Sequence, residues 1–96
     1  MMRETVVRLS VALGQPFYDW VREKGFKEIV AYRAVERYLK GCNIRGYRQQ
    51  LVLRALYQDL GFRIESTQNL PSPKVFEALV KEKLDEAKKR RSDNGN

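Results

Sequence analysis

The side chains with chemical capacity in this sequence are cationic and polar rather than catalytic. The chain holds 19 Lys and Arg against 12 Asp and Glu, and no His. Without histidine there is no Ser–His–Asp or Cys–His arrangement, and the commonest general base and metal ligand is missing. A single cysteine, Cys42, excludes an internal disulfide framework and most cysteine-based zinc sites. The six glycines stand singly, so no Gly-rich phosphate loop is read. Glu77, Glu82, Asp85 and Glu86 lie among lysines, the pattern of a solvated helix face rather than of a paired-carboxylate hydrolase. No enzyme activity, cofactor or metal is expected.

Charge is the remaining signal. Arg37, Lys40, Arg45, Arg48, Arg54 and Arg63 crowd the centre of the chain with Asp59 as the one acid among them. Lys88, Lys89, Arg90 and Arg91 form a second cluster, read as a solvated helix end or as a tail that grips DNA. A formal net charge of +7 attracts phosphates and makes such binding salt-dependent. The run Asn43-Ile44-Arg45-Gly46-Tyr47-Arg48-Gln49-Gln50 mixes side chains that reach phosphates, base edges or stacked bases. The blander reading is that they solubilise a turn and a helix start. Arg45, Tyr47 and Arg48 are the candidates for nucleic-acid contact there, with DNA expected before RNA, and a helical RNA-binding or nucleoid-type protein using them without sequence preference as a further reading. Trp20 and Phe17 stand at helical spacing beside Val21 and read as core rather than as a stacking platform.

These groups must be positioned by a small scaffold. Ninety-six residues with 43% apolar content suit one domain, expected over 1–91 with a disordered tail over 92–96. Thr5, Val7, Leu9, Val11 and Leu13 alternate with more polar neighbours, which predicts a half-buried strand over Glu4 to Ser10. About four helices follow, and the fold class is therefore mainly α. The first runs from about Pro16 to Lys24 and stops at Gly25, the second from Lys27 to Lys40 and stops at Gly41. A third is expected over Tyr47 to Leu60, ended by Gly61, and a fourth from Pro73 to about Lys89 after the Ser72 cap.

The order of strand, short helix, Gly and longer helix over residues 4–41 resembles the ribbon-helix-helix family. The residues that carry it are Thr5-Val6-Val7-Arg8-Leu9-Ser10, Phe17-Tyr18-Asp19-Trp20-Val21, and Ile29-Val30-Ala31-Tyr32-Arg33-Ala34-Val35 leading into Tyr38-Leu39. The resemblance implies an obligate homodimer whose paired strands enter the major groove, and so a small DNA-binding regulator of transcription. It implies that Val6, Arg8 and Ser10 face the bases, Arg8 foremost, and that Lys27 lies where the second helix meets a phosphate. The half from Cys42 onward is then a helical extension.

A second reading makes the chain a protein-binding module acting on a larger assembly, because its helices look apolar over more than one face. No apolar run approaches about 18 residues. The opening segment carries Arg3, Glu4 and Arg8, unlike a signal peptide. A cytoplasmic location without membrane contact is expected.

Overall fold

A computed structural model describes residues 2–65 and 67–94, with side chains described over 3–65 and 67–89. The chain forms α1 (Met2–Leu13), α2 (Phe17–Glu23), α3 (Glu28–Leu39), α4 (Tyr47–Asp59) and α5 (Pro73–Asn94), and no strand occurs among the described residues.

The N-terminal strand expected from the sequence is therefore a helix, and the ribbon-helix-helix architecture falls with it. The residues concerned satisfy both periods. At period two, Val7 and Val11 would point inward with Leu9. In the helix, Leu9 is buried and Val6, Ala12 and Leu13 pack against the core, while Val7 and Val11 stay 57% and 43% exposed. β-Branched residues cost a helix only a few tenths of a kcal/mol each, whereas burial of one apolar stripe contributes far more. That stripe lies against α5 and α2 of the same chain. No β-segment remains there to pair with a second copy, so the ribbon gives no support to a homodimer.

The other four helices begin and end within one or two residues of their expected positions, except that α5 continues through Asn94. The tail expected to be disordered thus includes helical residues 92–94, and 95–96 lie outside the described residues.

Helix α2 has only seven residues, too few to stand alone in water. Its stability comes from Phe17, Trp20 and Val21, all essentially inaccessible to solvent. Burial of Phe17 and Val21 contributes about 1.5–3 kcal/mol apiece. The Trp20 indole Nε1–H donates to Asp59 Oδ2 at 2.6 Å, which ties α2 to the far end of α4. Ser10 supplies the N-terminal cap from the preceding helix: its hydroxyl donates to the Val6 carbonyl at 2.8 Å and accepts the Phe17 N–H at 2.9 Å.

Helices α2 and α4 stop in the same way. Gly25 and Gly61 adopt φ of +77° and +86°, and the N–H of the following Phe26 or Phe62 reaches back to the carbonyl of Val21 or Tyr57. Only glycine takes this left-handed turn without strain. The phenylalanine that follows folds onto the core, Phe26 beside Trp20 and Phe62 beside Tyr57. Helices α3 and α4 pack together, and Tyr38, Tyr57 and Phe76 join α3, α4 and α5 through edge-on ring contacts. No helix among the described residues is long and apolar enough to cross a membrane.

Candidate nucleic-acid interface

The end of the molecule where α3 passes into α4 is built by a tight stop and an open start. Gly41 N–H bonds the Tyr38 carbonyl and Cys42 N–H the Arg37 carbonyl, both at 3.0 Å, closing α3. Ile44, buried to 6% exposure, anchors the connecting loop, and its carbonyl accepts Gln50 Nε2–H at 2.6 Å. Gly46 then opens α4 by accepting the Gln50 N–H, with no side-chain cap and no acid in the first turn. The leading N–H groups and the positive end of the helix dipole are thus uncompensated.

Arg45 and Arg48 are exposed around this start, with Tyr47 between them at 76% exposure. Arg37 and Lys40 come to the same end from the last turns of α3, because α3 and α4 are joined by a short loop and pack together. From Arg37 to Gln58 the chain contains no acid. Lys40 pairs with Glu36 at 3.0 Å, an exposed i,i+4 contact worth about 0.3–0.5 kcal/mol. Arg37, Arg45 and Arg48 have no ion-pair partner among the described residues.

Two depressions flank α4. One is a polar cleft of about 550 Å³ between the α3–α4 loop and the segment leading into α5. On its wall the Tyr38 hydroxyl donates to the Pro71 carbonyl and accepts from the Tyr57 hydroxyl 2.6 Å away. Burial pushes both tyrosines above the ordinary value, and for Tyr57 the bond to Tyr38 adds to the rise. The other is an open apolar groove of about 760 Å³ bounded by Phe26, Leu51, Ala55, Phe62 and Ile64.

Of the residues singled out from sequence, the fold brings together Arg45, Tyr47 and Arg48 and disperses the rest. Val6 is half-buried against the core, and the Ser10 hydroxyl is occupied on both sides by the backbone, so neither faces outward as a ribbon residue. Arg8 is exposed, but it borders a small cleft with Glu77 and Val80 on the α1–α5 side. Lys27 precedes α3 at that helix's opposite end, beside Glu28. Arg54, counted from sequence with the phosphate-seeking cations, instead donates to the carbonyls of Gln68 and Glu65 at 2.6 and 3.4 Å and holds the loop after α4. Sequence reasoning passed over Asn69, which joins Asn43 at the polar cleft. Pairing of two such distant residues leaves no local signal.

Comparison of the chain with family models, curated proteins and solved structures finds no match.

Proposed function

We propose that the protein binds nucleic acid, gripping the phosphate backbone with the end formed by the last turns of α3 and the start of α4. The observation that carries this reading is the set of exposed cations, Arg37, Arg45 and Arg48, that have no acidic partner among the described residues, the latter two flanking the exposed Tyr47 in the chain. Arginines in this setting engage phosphate with two N–H groups at once. An open helix start beside them adds N–H donors of the same sense. Tyr47 offers a face on which an unpaired base can stack.

The grip is sequence-tolerant, since the base-reading ribbon is absent and α1 is a helix. Titrating labelled DNA duplex by fluorescence anisotropy over a salt series tests the reading. The logarithm of affinity falls against the logarithm of salt by about 0.9 per phosphate contact. Replacing Arg45 and Arg48 together by Ala is expected to flatten that slope by about two contacts and to weaken binding on every sequence alike. Arg8→Ala is expected to change neither. Undetectable affinity at low salt removes the proposal.

The open apolar groove, with Leu51 38% exposed, favours a second reading as a protein-binding module. Leu51→Ser separates the two: without a change of charge, it is expected to abolish a nuclease-resistant protein contact and to leave DNA affinity unaltered.

A further inference from the structure

We infer that the polar cleft between the α3–α4 loop and the lead-in to α5 takes the base of a nucleotide whose phosphate is held on the adjoining cations. This rests on the nucleic-acid reading of the same end and names the chemistry it accepts beyond phosphate.

No charged side chain lines the cleft. Its chain neighbours are cationic: Lys40 precedes Gly41, Arg45 follows Ile44 and Lys74 follows Pro73. Arg37 precedes Tyr38. No acid adjoins a lining residue in the chain. A neutral lining whose chain neighbours include exposed cations fits a ligand with an uncharged polar part and an anionic part, as in a nucleotide. A phosphate or carboxylate inside the cleft itself would meet no countercharge.

The interior has the groups a base edge needs. Asn43 and Asn69 both line it, and neither amide has a hydrogen-bond partner among the described residues. Gln50 uses its Nε2 on the Ile44 carbonyl, which leaves its Oε1 free to accept. A carboxamide presents a donor and an acceptor in one plane, the pattern that pairs with adenine at N6 and N7. Leu70, Pro71 and Pro73 supply apolar surface for the flat face of a ring. The volume of about 550 Å³ falls within the range of small-ligand sites.

The test compares an oligodeoxyadenylate with an abasic strand of equal length and charge, each labelled, by anisotropy on the full chain. The base-bearing strand is expected to bind about tenfold more tightly. Asn43→Ala combined with Asn69→Ala is expected to reduce the difference to what stacking on Tyr47 leaves, without altering the abasic affinity. Both positions are exposed, and far-ultraviolet circular dichroism checks that the variant is folded. Arg45→Ala with Arg48→Ala is expected to weaken both strands and keep their ratio. Adenosine monophosphate distinguishes the sources. Displacement of the strand, with shifts of the Asn43 and Asn69 side-chain amide resonances, assigns the cleft to a free nucleotide. Such shifts with the strand alone assign it to a nucleotide within a chain. Equal affinity of the unaltered protein for the two strands, or a preference undiminished in the asparagine variant, overturns the inference while the phosphate grip stands. Absence of binding to either strand overturns both.

Discussion

Ser10 has one hydroxyl and two backbone partners, the Val6 carbonyl within α1 and the Phe17 N–H that opens α2. A serine in the last turns of a helix is usually neutral to unfavourable. Here the same oxygen satisfies a donor that Pro16, standing at the cap position, leaves without a side-chain partner. Ser10→Ala is expected to destabilise the protein by about 1 kcal/mol, the cost of losing a helix cap, read as a lower urea midpoint. DNA affinity is expected to stay unchanged, whereas a base-contacting serine would lose it. The residue type was legible as polar and useful, but its use was not. Phe17 lies beyond the turn from Ser10, and only the helical course of α1 brings the two together. By contrast Phe17 and Trp20 read correctly as core, because i, i+3 spacing beside Val21 already places them on one face.

At the scale of elements, glycine carried most of the readable information. Gly25, Gly41 and Gly61 each follow a helix end anticipated from sequence, and each has positive φ. An added Cβ at Gly61 meets nothing within 4 Å, so Gly61→Ala isolates the backbone cost from crowding. That cost is expected to be about 1–2 kcal/mol, measured by urea unfolding, with the fold retained. Helix α1 was misread because Thr5-Val6-Val7-Arg8-Leu9 places apolar residues at both period two and the helical period. The choice was made by α5, whose Phe76 and Val80 are buried in the same core as Leu9. Leu9→Ala is expected to cost about 2–5 kcal/mol, read as a lower denaturant midpoint. Val7→Ala is expected to cost far less by the same measure, because Val7 is 57% exposed on the helix, whereas a half-buried strand would bury it beside Leu9.

For the whole molecule, the rings of Tyr38, Tyr57 and Phe76 close α3, α4 and α5 on one another. Both tyrosines titrate above their ordinary value, with burial as the main cause. The sign follows from linkage: the unfolded chain ionises first, near pH 10, so their contribution is intact below about pH 10 and is lost as pH rises beyond it. The urea midpoint is expected to fall steeply above about pH 10, in step with tyrosinate absorbance. An unchanged midpoint through that window contradicts the assignment. The concentration of cations in the middle of the chain was legible, because an acid-free stretch is a property of sequence. Which of them remain available was not, since Arg54 is withdrawn by carbonyls that reach it only after the chain turns past Gly61.

Asp59 is the one carboxylate between Arg37 and Ile64, and it is turned toward Trp20 Nε1 and Lys24 Nζ. That contact sets the charge of Asp59 against a cation rather than leaving it unpaired. One carboxylate thus fastens two helices, and Asp59→Ala would release the indole and the ammonium together.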